Sequence, residues 1–171
     1  MTDLRVSDAE EVEAVHRAYY DAWERNDPDS MCSLWLDSDE ILNVMPGDEP
    51  RRGRDRVLAD VREAVGLTHG VQFLFTGVDV AVLGNVGMLS AVEICVTPQT
   101  FSFRALEEVD AVRLAVSTVY RRTPQGWRMV RHHVSPVISH LDLDGDLDGG
   151  SDGGSDAGSD GGADGWGRQG R

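Results

Sequence analysis

The order of periodicities along this chain predicts an α+β fold: a cone-shaped, curved antiparallel sheet with three N-terminal helices enclosing a pocket. Three observations predict it. Apolar residues recur at helical spacing in the first third, the spacing changes to two from Val71 onward, and tight-turn sequences divide that second region into two hairpins. Helices gathered on one side of an antiparallel sheet make a two-layer α+β domain. Three helices are too few to cover every strand of a long curled sheet, so its concave face should keep a pocket.

Residues 8 to 25 read as an amphipathic helix, with Ser7 and Glu10 at capping-box spacing and Val12, Val15, Tyr19 and Trp23 on one face. Asn26-Asp27-Pro28 breaks and restarts the chain: Asp27 suits an N-cap and Pro28 the first helical position. The short second helix turns Met31, Leu34 and Trp35 inward. Ile41 to Met45 is a short strand that runs into the turn-rich Pro46-Gly47-Asp48-Glu49-Pro50. Beyond Gly53 a third helix aligns Val57, Leu58, Val61 and Val65, with Gly66 as its stop. Val71 to Leu83 and Val86 to Val96 pair across Gly84-Asn85, and Gly77 marks a bulge in the first of them. Thr97 to Asp110 is a less regular connection. Val112 to Arg121 and Trp127 to Val137 form the second hairpin, across Thr123-Pro124-Gln125-Gly126.

After Leu143 the chain loses periodicity and repeats Gly-Gly-Ser-Asp, a composition that cannot bury a core. The domain therefore spans residues 1–140, and residues 141–171 form a disordered acidic tail. Asp144, Asp146, Asp148 and Gly149 open like a calcium loop, but Ser155 stands where its bidentate glutamate belongs. The net charge is −14, and all 16 basic residues are arginine. The tail accounts for part of this, and the domain is acidic as well, which disfavours nucleic acid as a partner. An acidic, lysine-free chain fits a high-salt proteome, as it fits a GC-rich genome. No apolar run is long enough for a membrane span, and the charged N-terminus lacks a signal-peptide core, so a cytoplasmic location is expected. Cys32 and Cys95 fall in separate apolar stretches and read as buried reduced thiols.

The strand Gly126-Trp127-Arg128-Met129-Val130-Arg131-His132-His133-Val134-Ser135 resembles the closing signature of SnoaL-like members of the nuclear transport factor 2-like superfamily. It is also similar to the association domain of calcium/calmodulin-dependent kinases. The first-helix ending Tyr-Tyr-Asp-Ala-Trp-Glu-Arg-Asn-Asp, the short strand and Pro50-Arg51-Arg52-Gly53 fit the same order over residues 8 to 137. This resemblance implies the cone fold, a pocket, and a homodimer packed through the sheet. It leaves function open, because the superfamily includes isomerases, cyclases, dehydratases and assembly modules.

Strand alternation groups Trp127, Met129, Arg131, His133 and Ser135, and the resemblance turns that face toward the cavity. His133 is then the candidate catalytic acid or base, or else a buried histidine that closes the sheet; His132 falls on the opposite face. Tyr19, Tyr20 and Trp23 would roof the pocket, with Trp35 nearby, or would be plain core aromatics. Tyr19 matches the tyrosine that polarises a carbonyl in ketosteroid isomerases. The carboxylate base of those enzymes would fall at Val44, with Asn43 beside it, so that chemistry is not expected. Glu93 alternates with Leu89 and Ala91 in an apolar strand: in the cavity, burial would raise its pKa, and on the convex face it would meet a dimer partner or water. Ser117 stands where relatives of this fold often place a polar cavity residue, and Arg113 shares its parity, to bind an acidic ligand or to lie exposed. The scattered histidines predict no metal site, and no cofactor is expected. Two functions follow: a small-molecule binder, catalysing cofactor-independent acid–base chemistry on an apolar substrate if it is an enzyme, or a non-catalytic oligomerisation module.

Overall fold

The computed structural model describes residues 7–96 and 112–137; the connection expected over Thr97–Asp110 and the acidic tail lie outside them. α1 (Asp8–Glu24) begins with the expected capping box: Ser7 Oγ accepts the Glu10 amide, and the Glu10 carboxylate accepts the Ser7 amide. α2 (Pro28–Ser33) starts at Asp27, whose side chain accepts the Ser30 amide. α3 (Arg54–Leu67) buries Val57, Leu58, Val61 and Val65 on one stripe. It runs through Gly66 and ends at Thr68, whose hydroxyl donates to the Ala64 carbonyl at 2.7 Å. Among the described residues no helix is long and apolar enough to cross a membrane.

Six strands form one curved sheet: β1 (Leu42–Val44), β2 (Arg51–Arg52), β3 (Gln72–Leu83), β4 (Val86–Val96), β5 (Val112–Thr123) and β6 (Gly126–Pro136), in the order β2-β1-β6-β5-β4-β3. The long strands pair antiparallel as expected, but β1 joins β6 in parallel, so the sheet is mixed. This pairing sets Asn43 beside His132. Gly77, at φ 61°, carries the predicted bulge in β3. A second bulge was not anticipated. Val119 pairs with Arg131 and Tyr120 with Met129, which leaves Val130 without a partner on β5.

The helices cover the inner face. Gly87 lets α1 lie directly on β4, since a Cβ there would come within 2.6 Å of the Val12 side chain. Tyr19, Tyr20, Trp35, Trp127 and Met129 fill the core behind this contact. The outer face of the same strands carries Leu74, Met88, Ala115 and Ser117, all exposed.

Candidate functional site

A chain of buried polar side chains crosses the inner face. The Tyr20 hydroxyl lies 2.8 Å from Glu93 Oε2 and 3.0 Å from His132 Nε2. His132 Nδ1 lies 3.0 Å from Asn43 Oδ1, and Asn43 Nδ2 donates to Asp60 Oδ2 at 2.7 Å. Each link comes from a different element. Tyr20 is on the buried stripe of α1, Glu93 on β4, His132 on β6, Asn43 on β1 and Asp60 on α3. Glu93, His132 and Asn43 are all nearly or fully buried, at 3%, 0% and 0% exposed. Polar groups this deep remain in the core only with partners, and here each has at least one.

Burial sets their proton affinities. The Glu93 carboxyl is pushed up to about 7, because desolvation outweighs the hydrogen bond from Tyr20. His132 is driven down to about 3 by desolvation, with His16 and His133 adding repulsion, so it is a neutral imidazole at physiological pH. The Tyr20 phenol is raised well above its usual range by burial and by Glu93 beside it, and keeps its proton.

Glu93 and Tyr20 also face a partly open cavity of about 160 Å³. Its remaining wall is mostly apolar, with Trp23, Phe73, Leu114 and Val134 among the lining residues. The Trp23 indole is fixed by donating to Thr68 Oγ1 at 2.6 Å. Cys95 lines the same space as a free thiol, whereas Cys32 is buried.

Of the residues expected at the pocket, Tyr20, Trp23 and Glu93 line this cavity, and Asn43 stands behind them in the polar chain. Tyr19 and Trp35 are core aromatics packed against the His132 ring, with centroids 5.4 and 6.5 Å away. Trp127 and Met129 are core residues as well. The other expectations need correction. Arg131 and His133 are exposed and Ser135 half-buried, all on the outer face, because the Val130 bulge reverses the alternation begun at Trp127. The histidine facing inward is therefore His132. Arg113 and Ser117 are exposed too, since β5 turns Leu114, Val116, Thr118 and Tyr120 inward; Ser117 lines an open hollow outside the sheet. Sequence reasoning missed Asp60, which looked like an ordinary polar residue of a surface helix.

Comparison with known proteins places this geometry in context. The family model of the SnoaL-like domain matches residues 12–139. A candidate dehydratase of the NTF2-like family from Streptomyces avermitilis is 29% identical, with a TM-score of 0.68 over 77% of this chain and 97% of its own. A candidate calcium/calmodulin-dependent protein kinase type II association domain from Thiobacillus denitrificans is 28% identical, with a TM-score of 0.64 over 74% and 94%. An NTF2-like protein with a cystatin-like fold from Novosphingobium aromaticivorans, 20% identical over 82% and 84% of the two chains, shares the fold with a TM-score of 0.59. No curated protein matches the chain.

Proposed function

The chain belongs to the SnoaL-like domain family, and we propose that it binds a small, largely apolar molecule and performs proton-transfer chemistry on it through Glu93. One observation carries this reading: a single carboxyl, buried among apolar side chains and titrating near 7, faces an open cavity with only a tyrosine hydroxyl and a neutral histidine behind it. A general acid or base works best when its pKa lies near the operating pH, and burial brings a glutamate there. The space suits a compact ligand, because a dry cavity of about 150 Å³ holds a benzene ring. A single polar group on the ligand would meet Glu93 while the ring or chain packs against Trp23 and Phe73.

Such a site supports isomerisation, cyclisation or dehydration, none of which needs more than a proton donor and acceptor. Likeness to the candidate dehydratase favours the last. In that reaction the Glu93 acid protonates a hydroxyl, which leaves as water. The resulting carboxylate takes the proton from the adjacent carbon, whose bonding pair forms the double bond. Glu93 ends as it began. Ligand identification by native mass spectrometry, followed by turnover assays on the molecule found, tests the proposal. Glu93→Gln should keep binding and lose turnover by roughly a hundred- to ten-thousandfold; unchanged turnover would remove Glu93 from the chemistry.

A second reading rests on the outer face. Leu74 and Met88 are 60% and 38% exposed there, beside Ala115 and Ser117, and one similar structure is a candidate association domain. A homodimer joined through this face follows. Sedimentation velocity of the protein and of Ala115→Arg tests it: the variant should run as a monomer, and a wild-type monomer would reject the reading.

A further inference from the structure

The polar chain has a direction, and the direction starts at Asp60. Its carboxylate, only 15% exposed and flanked by Arg51 at 4.0 Å, can only accept hydrogen bonds. Asn43 must therefore present its amide nitrogen to Asp60, which leaves Oδ1 toward His132. An amide oxygen can only accept, so His132 carries its proton on Nδ1 and offers a lone pair at Nε2. The Tyr20 hydroxyl is the donor within reach of that lone pair. The hydroxyl has one proton and cannot serve His132 and Glu93 Oε2 at once: toward an ionised Glu93 it donates across the 2.8 Å contact, and while it donates to His132 that contact is complete only if Glu93 is the donor. Every hydrogen bond is satisfied when Glu93 is a neutral acid, with no ion needed in the core beyond Asp60. An imidazolium facing a Glu93 carboxylate uses the same number of protons but places two charges where water is excluded.

We propose that Asp60 and Asn43 are positioning residues for the Glu93 site: they hold the Asn43 amide in one orientation, which selects the His132 tautomer, directs the Tyr20 proton toward His132 and poises Glu93 as the proton donor of the pocket. This inference rests on the reading of Glu93 as the reacting group and specifies its resting role, an acid rather than a base. The chain also responds when Glu93 gives up its proton. The Tyr20 hydroxyl turns from His132 Nε2 to the new carboxylate, stabilising it and leaving the imidazole lone pair unpaired until Glu93 is protonated again. The titratable groups that act on Glu93 are Tyr19 and Tyr20 on α1 and Cys95 on its own strand, and behind Tyr20 stand His16 on α1, Tyr120 on β5 and His132 on β6. Asp60 is linked to it through Asn43 and His132.

The test uses the ligand-free, full-length protein. Nitrogen-15 NMR of the histidines reports the His132 tautomer, and difference infrared spectroscopy against Glu93→Gln follows the carboxylic acid band with pH. The wild type should show the Nδ1–H form. Asp60→Ala frees the Asn43 amide to turn, so the Nε2–H form should appear and the Glu93 midpoint fall by about one pH unit. Asp60→Asn offers Asn43 either an oxygen or an amide nitrogen, so it should populate both tautomers and leave the Glu93 midpoint between those of the wild type and Asp60→Ala, which a merely structural role for the carboxylate would not predict. An Nε2–H tautomer in the wild type overturns the proposal without any variant. So does an unchanged Glu93 midpoint in Asp60→Ala. Neither outcome touches the functional reading, which fails separately if Glu93→Gln turns over as well as the wild type.

Discussion

His132 and His133 are neighbours on one strand, yet one is fully buried in a polar chain and the other lies exposed outside the sheet. The contrast extends to the two faces of the whole sheet. Inside, Glu93, His132, Asn43 and His16 are each tied to a partner from another element, while the Thr118 hydroxyl is buried without one; outside, arginines, serines and small apolar residues lie open. Residue type therefore says little about role here. Which face the backbone assigns decides whether an imidazole is a neutral hydrogen-bond relay or a surface group.

Substitution of the two histidines should separate the inner and outer faces most widely. His132→Ala removes a ring bonded on both nitrogens and strands Tyr20 and Asn43, and should cost about 3 kcal/mol in chemical denaturation. His133→Ala should stay within about 0.5 kcal/mol. A larger loss for His133 would mean the faces are reversed. On β4 the same contrast is sterically simpler. Gly87→Ala forces a methyl into the Val12 side chain and should cost about 1–3 kcal/mol, while Ser90→Ala on the outer face should be nearly neutral.

Acid titration reports on the buried groups of the inner face, through slopes of about 1 kcal/mol per pH unit for each group. His16 and His132 are depressed by burial to about 4 and about 3, below their ordinary 6.5. Between those values the unfolded chain binds more protons, so stability falls as the pH drops below about 6.5, by about 1 kcal/mol per pH unit for each ring. Glu93 acts in the opposite sense. Its folded pKa is raised from 4.5 to about 7, so its contribution is full below about 4.5 and is lost as the pH rises to 7. Glu93→Gln should therefore steepen the acid-side loss between pH 4.5 and 6.5, again by about 1 kcal/mol per unit. Denaturation midpoints measured across this range check it, and an unchanged slope would mean Glu93 is not buried as an acid.

Much of the fold was legible because local chemistry determines it. The Ser7–Glu10 box, the Asp27-Pro28 start and the Gly77 bulge each follow from residues adjacent in sequence. Glu93 was legible in part: its spacing from Ala91 and Leu89 groups the three on one face of the strand, but which face turns inward is set by α1 packing on β4. The inner histidine was not. The bulge at Val130 carries no glycine and no turn residue, so simple alternation runs straight through it and assigns His133 to the wrong side. The same error of phase does not explain Ser117 and Arg113, which were placed by likeness and not by their own strand's pattern of Leu114, Val116 and Tyr120. Asp60 was invisible for a different reason: its role depends on β1 entering the sheet in parallel, a pairing between distant segments that no local pattern encodes.

That parallel pairing also bears on how the molecule is built in time. Tyr20 is 73 residues from Glu93 and 112 from His132, and His132 is 89 from Asn43. No link in the chain from Glu93 to Asn43 can form from local contacts, and each requires a long loop to close first. Either hairpin can zip up on its own residues, but the site comes together only when the beginning and end of the domain meet at β1 and β6. A folding intermediate with both hairpins intact would still lack its acid. Acquisition of the raised Glu93 titration during refolding is therefore a marker for completion of the fold.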